Sequence, residues 1–201
     1  MRLDVSDIRV ERGGRRVLDG LRFVLQPSEA LIVTGPNGAG KSTLLRALVG
    51  LLPLAAGRIT VAGEEASSAR EVAHYVGHTD GNKASLTAGE NLCFWAAMLA
   101  SEKSRSLPVA KAVEAFALTR IADLPVAALS AGQRRRIALA RLFVAARPLW
   151  LLDEPMTALD ANSRAILLAH MESHLGEGGM IVAATHRALD LPNARQLALR
   201  Q

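Results

Sequence analysis

The sequence contains only one cysteine, Cys93, so no disulfide can form within the chain. Cys93 lies in the apolar helical pattern ENLCFWAAML, which predicts a buried and unreactive thiol. No uninterrupted apolar run reaches the roughly 18 residues that span a bilayer, because Arg and Pro interrupt every candidate. The opening MRLDVSDIRV has acidic residues where a secretory signal has its apolar segment. We therefore expect a cytosolic chain with no membrane span of its own.

The chain also lacks an internal repeat and a low-complexity linker. Its 24 Lys and Arg exceed its 19 Asp and Glu, which gives a net charge of +5. This excess permits nucleic acid, an anionic membrane surface or a nucleotide as partner and does not choose among them. No aromatic residues interleave with Arg134, Arg135 and Arg136. We therefore expect phosphate-side charge and a solvated helix face there, and no nucleic-acid partner.

The order of apolar segments predicts a mixed α/β domain. DIRVERGGRRVL is typical of a hairpin turning at Gly13 and Gly14, and ALIVTG predicts a buried strand that enters a glycine-rich loop. The runs PLWLLDEP and GGMIVAATH fit parallel strands covered on both faces. With 201 residues, we expect a single domain, 1–201, with an α-helical subdomain at about 88–146 inserted in the α/β core.

The segment GPNGAGKST, residues 35–43, matches the pattern G-x-x-x-x-G-K-[ST] between a predicted strand and a predicted helix. Backbone N–H groups of such a loop face phosphates, Lys41 reaches the β and γ oxygens, and the Ser42 hydroxyl ligates magnesium. The plain alternative is a turn before a helix. The residues of this predicted phosphate-binding loop are Gly35, Pro36, Asn37, Gly38, Ala39, Gly40, Lys41, Ser42 and Thr43.

Two acidic residues, Asp153 and Glu154, follow the apolar run LWLL. A carboxylate at the carboxyl end of a buried parallel strand lies on the same side of the sheet as the glycine-rich loop. Asp153 is therefore a candidate magnesium ligand, and Glu154 a candidate base for an attacking water. The alternative is an acidic strand end that caps a helix. Two consecutive acids favour catalysis over simple nucleotide storage.

Ser130 and Gln133 in LSAGQRRR have the spacing of a capping box, which predicts the start of a helix. This glycine-containing N-terminus is a second phosphate-ready site, which suggests that two copies complete each other. His170 and His174 have the i, i+4 spacing of metal ligands, but no third ligand is near in sequence. For these two histidines we expect a plain exposed helix face.

With GPNGAGKST, LSAGQ, LWLLDEP, ALD and ATH in this order, nearly the whole sequence resembles the nucleotide-binding subunits of ATP-binding cassette (ABC) transporters. The resemblance implies a P-loop core with an antiparallel β subdomain and an inserted helical subdomain, ATP as substrate and Mg²⁺ as cofactor. It implies a head-to-tail homodimer in which the loop of one subunit and Ser130, Ala131, Gly132 and Gln133 of the other hold each ATP. It also implies that Asp160 crosses the dimer and that His186 contacts the γ-phosphate and orders the water near Glu154. A lone histidine after a strand is otherwise structural.

The sequence departs from the family pattern at three places. His78 and Thr79 stand after VAHYVG where the family usually has a glutamine, which puts that loop's contacts with magnesium and water in doubt. The adenine-stacking aromatic of the first hairpin is missing, and Arg12 is its substitute, because a guanidinium can lie on an adenine face. A solvated Arg12 is the alternative. Ala131 replaces a common glycine, and its small side chain still admits a phosphate.

YVGHTDGNKASLTAGENLCFW, LSAGQRRRIALARL and PLWLLDEPMTALD together resemble a subfamily, the ATPase subunits of bacterial haem exporters in cytochrome c biogenesis. This resemblance implies a peripheral protein on the cytoplasmic face of the inner membrane, bound to separate transmembrane permease subunits. It ties hydrolysis to release of a haem-loaded chaperone, with no direct haem binding by this chain. Segment 78–92 is the candidate contact with the permease.

Three other functions remain open from the sequence. The chain could be the ATPase of another small-substrate ABC transporter, or a soluble ABC ATPase that acts on the ribosome or on DNA. Soluble relatives usually carry paired cassettes or long coiled-coil inserts, which this sequence does not have. A module that switches with ATP without hydrolysis is disfavoured by the presence of Glu154 and His186.

Overall fold

The first of two β-sheets is antiparallel and is built from the N-terminal part of the chain. The computed structural model describes residues 1–61, 64–65, 69–100, 108–186 and 189–199. The predicted hairpin is present, since β1 and β2 pair around Gly13 and Gly14, which both have positive φ. The sheet order is β2-β1-β4-β5, with the strands β1 (Leu3–Arg12), β2 (Arg15–Leu25), β4 (Ala56–Val61) and β5 (Glu64–Glu65).

The second sheet is parallel throughout and contains the continuous apolar runs. Its order is β6-β7-β8-β3-β9, with the strands β3 (Ala30–Thr34), β6 (Ala73–Val76), β7 (Leu149–Asp153), β8 (Met180–Ala184) and β9 (Ala194–Ala198). Every residue of β7 and β8 is buried, as expected for strands that are covered on both faces.

The helices connect these strands. Their bounds are α1 (Lys41–Leu48), α2 (Ala69–Val72), α3 (Ala88–Leu99), α4 (Val109–Ala115), α5 (Ala131–Ala140) and α6 (Ala161–Gly176). Thr87 and Ser130 begin α3 and α5 with capping boxes, which satisfy the backbone N–H groups of the N-cap residue and of the residue three positions later. Helices α3, α4 and α5 fall in the segment predicted to be helical, in which 101–107 lie outside the described residues. Its status as a subdomain of a single domain stays a prediction.

The side chains of the parallel sheet alternate between two apolar clusters. Ile32, Leu152 and Ala183 face a cluster built with α3, α4, α5 and α6. Val33 and Leu151 face the opposite cluster, which includes α1 and the antiparallel sheet. Because successive residues of a strand point to opposite faces, one central sheet serves both clusters. The carboxyl end of that sheet stays free for loops.

Three buried arginines cover the outer edge of β6, which is the edge strand of the parallel sheet. Arg147 donates to the Ala73 carbonyl at 2.8 Å, and Arg141 donates to the Tyr75 carbonyl at 3.2 Å. Arg135 donates to the Gly77 carbonyl at 2.7 Å, just beyond the strand. Alternate carbonyls of a strand point to the same side, so these three guanidinium groups take the place of a neighbouring strand. We call this set the arginine ladder.

Burying three cations costs them their hydration, and hydrogen bonds to the carbonyls of Ala73, Tyr75 and Gly77 offset that cost. Arg141 also lies over the ring of Trp95, with 4.2 Å from its central carbon to the ring centroid. Burial lowers the pKa of Arg141 to about 10, so the side chain stays charged at neutral pH. The expectation of a solvated helix face at residues 134–136 is therefore wrong for Arg135, which is only 4% exposed.

Two further expectations are wrong. Cys93 is exposed, because α3 is apolar on most sides and turns Ala88, Asn91 and Leu92 to the interior instead. His170 and His174 do not lie on a plain exposed face. His170 Nε2 donates a hydrogen bond to the Ala115 carbonyl at 3.0 Å, and His174 stacks on Trp150 with the ring centroids 3.9 Å apart. Among the described residues no group of three His, Cys, Asp or Glu side chains could hold a metal ion.

One buried histidine, His74, and one half-buried histidine, His174, predict that the fold loses stability in mild acid. Burial lowers the pKa of His74 to about 3 and that of His174 to about 4, from 6.5. The unfolded chain takes up these protons first, so stability is complete above pH 6.5 and falls as the pH drops towards 4. Between pH 7.5 and 5.5 we expect a loss of about 1 kcal/mol for each histidine.

Urea unfolding at the two pH values measures this loss. His174→Phe keeps a ring on Trp150 but removes the titration, so the difference between the two pH values should shrink by about half. An unchanged difference in this variant would show that His174 does not contribute.

Candidate functional site

Three loops meet at the carboxyl end of the parallel sheet, because β7, β8 and β3 are neighbours. The loop after β3 is the glycine-rich segment, the loop after β7 contains Glu154, and the loop after β8 contains His186. Backbone hydrogen bonds join them: Glu154 N–H donates to the Ala184 carbonyl at 2.8 Å and Thr185 N–H to the Val33 carbonyl at 3.1 Å. The fold therefore brings together residues that lie up to 150 positions apart in the chain.

A pocket of about 930 Å³ lies between these loops. It is lined by residues of the first hairpin, the glycine-rich loop, the segment after β6 and the loops after β7 and β8. These residues are Arg12, Gly13, Val17, Asn37, Gly38, Gly40, Lys41, Ser42, Thr43, His78, Asp153, Glu154, Thr157 and His186. Gly13, Val17 and Thr157 were not predicted from the sequence. Gly13 and Val17 belong to the same hairpin as Arg12, and this proximity in sequence could have predicted that they line the pocket.

The glycine-rich loop wraps around the start of α1. Gly40 is the N-cap residue with φ of +97°, and a Cβ there would lie 3.0 Å from side-chain atoms of both Val17 and Leu18. Only glycine fits this position without strain. Lys41 is 8% exposed, and its ammonium donates to the carbonyls of Gly35 at 2.7 Å and Pro36 at 3.0 Å. The loop thus presents backbone N–H groups, a helix N-terminus and a lysine to one pocket.

The opposite wall of the pocket is acidic. Asp153 is 2% exposed, and its Oδ2 atom has no hydrogen-bond partner among the described residues. Glu154 Oε1 is likewise unpartnered by a hydrogen bond in the part that the structure describes, and His186 Nε2 lies 3.5 Å away. Buried carboxylate oxygens without donors suit a cation or the proton of a water. This pair can therefore ligate a metal and accept a proton.

The Ser130–Gln133 segment lies elsewhere on the surface. Ser130 and Ala131 are exposed at the N-terminus of α5, and no residue of the segment lines the pocket. A Cβ on Gly132 would lie 2.8 Å from the Ala158 carbonyl, so glycine lets this helix approach the loop after β7. Asp160 is also outside the pocket. It caps α6 by accepting from Ser163 N–H, a bond that lowers its pKa.

A family model described as ABC transporter matches residues 18–157, more than half of the chain. The chain belongs to this family. It is therefore the ATP-hydrolysing subunit of an ABC transporter, and ATP binds to it as substrate. The solved structures agree with this assignment. One described as the ATP-binding subunit of an ABC transporter has a TM-score of 0.82 and 28% identity, and covers 92% of this chain and 80% of its own.

The curated relatives narrow the comparison within the ABC family. A protein from Chelativorans sp. (strain BNC1) named cytochrome c biogenesis ATP-binding export protein CcmA is 48% identical over 201 residues, which are 99% of this chain and 98% of the relative. A protein of the same name from Rhodopseudomonas palustris (strain BisB5) is 48% identical over 200 residues, with 99% and 98% covered.

A second solved ABC structure shows the fold in a dimer. It is described as a dimeric post-hydrolysis state of an ATP-binding cassette bound to ADP and Pi, with a TM-score of 0.82 and 20% identity over 92% of this chain and 88% of its own. These likenesses confirm the predicted P-loop core with an antiparallel sheet and helices. The ABC assignment and the ATPase activity are confirmed as well.

Proposed function

We propose that the chain is the ATPase subunit of a haem exporter complex in cytochrome c biogenesis, where hydrolysis drives release of a haem-loaded chaperone. The observation that carries this proposal is the near-complete match, at 48% identity, with relatives named for cytochrome c biogenesis and export. The alternative is another small-substrate ABC transporter. Nothing in the pocket is specific for haem, so the proposed link runs through partner proteins and not through haem binding by this chain.

The pocket residues support a division of labour in hydrolysis. Lys41 exchanges its two carbonyl contacts for β- and γ-phosphate oxygens, and the N–H groups of residues 35–43 hold the remaining phosphate oxygens. Glu154 takes the proton of the attacking water. His186, 3.5 Å from Glu154, orders that water and contacts the γ-phosphate. The water oxygen bonds to the γ-phosphorus as the bond from the β–γ bridging oxygen to that phosphorus breaks, and ADP and phosphate leave.

The same residues fit Mg²⁺. Ser42 lines the pocket, and Asp153 offers a buried oxygen without a hydrogen bond in the described part of the chain. Oxygen ligands of this kind are those that Mg²⁺ prefers. When bound, the ion supplies positive charge to the phosphates. His78 lines the pocket at the place of the family's glutamine, whereas Thr79 is not among the lining residues, which supports His78 as the replacement.

Two copies complete each ATP site in this proposal. The pocket is open to solvent on the side of His186, which is exposed, and Ser130 and Ala131 are exposed on a different surface. A head-to-tail dimer places the N-terminus of α5 of one copy over the pocket of the other. There the N–H groups of Ala131 and Gly132, in the first turn of α5, can donate to the γ-phosphate. Asp160 of each copy lies close to that interface.

Arg12 gives a prediction about the adenine. It lines the pocket beside Gly13 and is exposed, so its guanidinium is free to lie on a base. Arg12→Ala should weaken ATP binding by about 1 kcal/mol, roughly fivefold, and Arg12→Tyr should restore it. Fluorescence titration with a labelled ATP analogue measures these affinities. Equal affinities in all three proteins would place Arg12 in solvent.

The complex with membrane subunits is tested by purification. No helix among the described residues is long and apolar enough to cross a membrane. The proposal places the chain on the cytoplasmic face of the inner membrane through separate permease subunits, with segment 78–92 as the contact. A tagged chain extracted from membranes in detergent should therefore copurify with membrane-spanning subunits. Recovery only from the soluble fraction, with no such subunit, would contradict the proposal.

The haem assignment is tested by complementation. A strain that lacks the gene for this chain should lose haem-stained c-type cytochromes and regain them when the wild-type chain is supplied. Growth on a substrate that needs another ABC transporter serves as the control and should not change. Normal c-type cytochromes in the deletion strain would leave only the general ABC transporter assignment.

A further inference from the structure

Arg135 connects three segments of the ATPase through one buried guanidinium. Arg135 lies two residues after Gln133 on α5, next to the Ser130–Gln133 segment that is proposed to face the second copy. Its Nη1 atom donates to the Gly77 carbonyl at 2.7 Å and lies 3.4 Å from Asp80 Oδ1. Its Nη2 atom donates to the carbonyls of Asp153 at 2.8 Å and Glu154 at 3.0 Å. Arg141, another arginine of the ladder, donates instead to the carbonyls of Ala138 at 3.1 Å and Tyr75 at 3.2 Å.

The two carbonyls that Nη2 contacts belong to the peptide units on either side of the Glu154 Cα atom. Fixing both peptide planes fixes φ and ψ of the residue between them, and thereby the direction of its side chain. This restraint matters at Glu154, because its φ of +47° is in the left-handed region that non-glycine residues rarely adopt. The direction of the Glu154 carboxylate therefore depends on this backbone conformation being kept.

The polar partners of Arg135 are matched to its charge. The side chain is 4% exposed, and carbonyl oxygens together with Asp80 offset the cost of its burial. A neutral amide could donate at most two of these bonds. A lysine ammonium does not have the planar fork that lets arginine donate to the carbonyls of Gly77, Asp153 and Glu154 at once. The planar, forked guanidinium of arginine is therefore what makes this set of contacts possible.

We propose that Arg135 is a positioning residue for the catalytic step: its guanidinium holds both peptide units that flank Glu154 and ties them to the His78 loop and to α5. The inference rests on the proposed role of Glu154 as the base. Arg135 does not touch substrate. It transmits the position of α5, and hence contact with the second copy, to the carboxylate that activates water.

The test uses ATP hydrolysis by the detergent-purified complex that contains the full chain. Arg135→Gln should lower kcat at least about tenfold, while KM for ATP changes less than about twofold, because the phosphate-binding loop is untouched. Arg135→Lys should recover part of the loss, since it keeps the charge and some of the bonds. In a chain that already carries Glu154→Gln, adding Arg135→Gln should lower kcat by less than about twofold.

Arg141→Gln is the matched control, because Arg141 is also buried on the ladder but bonds Tyr75 instead of the loop after β7. It should lower the thermal midpoint about as much as Arg135→Gln and leave kcat within about twofold. Equal losses of kcat in the two variants would show a general structural effect and overturn the inference. So would a further tenfold loss on adding Arg135→Gln to Glu154→Gln.

The outcomes also separate this inference from the role of Glu154. If Glu154→Gln hydrolyses ATP at the wild-type rate, the proposed base is wrong. If Glu154→Gln is slow and Arg135→Gln is not, only the role of Arg135 is wrong. Should Arg135→Gln fail to fold, Arg135→Lys replaces it, and its kcat must then fall relative to Arg141→Lys for the inference to stand.

Discussion

Glu154→Gln should bind ATP with near-normal affinity and hydrolyse it at least tenfold more slowly, a barrier increase above about 1.4 kcal/mol. The amide has the shape of the carboxylate and keeps the backbone bond from residue 154 to the Ala184 carbonyl, but it cannot take the proton of water. Because binding continues while turnover stops, the variant should accumulate as an ATP-bound dimer. Single-turnover phosphate release and size measurement with ATP give the two values.

Glu172→Gln is the control for this substitution, because Glu172 is exposed on α6 away from the pocket. It should leave both hydrolysis and assembly unchanged. An unchanged hydrolysis rate in Glu154→Gln would remove Glu154 as the base. Only monomer in the presence of ATP would argue against the head-to-tail dimer.

Lys41→Ala should abolish hydrolysis and, in the cell, the supply of holo-cytochromes c. Removing the ammonium that holds the β- and γ-phosphates should lower turnover on the order of a hundredfold or more. The fold should survive, because Lys41 contributes only two carbonyl hydrogen bonds, which solvent can replace. In a strain with only this variant, haem should stay on its chaperone outside the inner membrane. Haem staining and chaperone absorbance measure both effects.

Lys111→Ala provides the control, since Lys111 is an exposed lysine of α4 outside the pocket. Cells with this variant should make normal c-type cytochromes. Normal haem-stained cytochromes in the Lys41→Ala strain would contradict the haem assignment, while loss of hydrolysis in the purified variant would still support the role of Lys41. Haem staining therefore tests the haem assignment, and hydrolysis by the purified variant separately tests the role of Lys41.

The parts of the site that depend on local pattern were predictable from the sequence. Three motifs were predictable in this way: the glycine-rich loop, Asp153 and Glu154 after a buried strand, and the capping box at Ser130. Within each motif the residues lie only a few positions apart in the sequence. The placement of the glycine-rich loop, Asp153 and Glu154 at one edge of the sheet follows from strand direction alone. Even the unusual His78 could be placed in the pocket wall, because it follows a strand that ends at the same edge.

The contacts that were missed join residues far apart in sequence. Arg135 and Gly77 are 58 residues apart, and the ring of His174 stacks on Trp150 from a different element. A run of arginines is normally solvated, so composition could not show that one of three was buried. Cys93 was misjudged for a related reason, since a helix that is apolar on most sides does not show which side meets the core.

The arginine ladder also makes the helical part of the chain a nearly closed loop. Residues 78–134 leave the end of β6 and return to it, because Arg135 bonds Gly77. For a loop whose ends already meet, the entropy of closure grows only with the logarithm of its length, about 0.6 kcal/mol for each doubling. An insertion in an exposed loop between residues 78 and 134 should therefore cost little closure entropy. A deletion inside α3 or α4 would instead remove residues of the apolar core, such as Leu92 and Ala112.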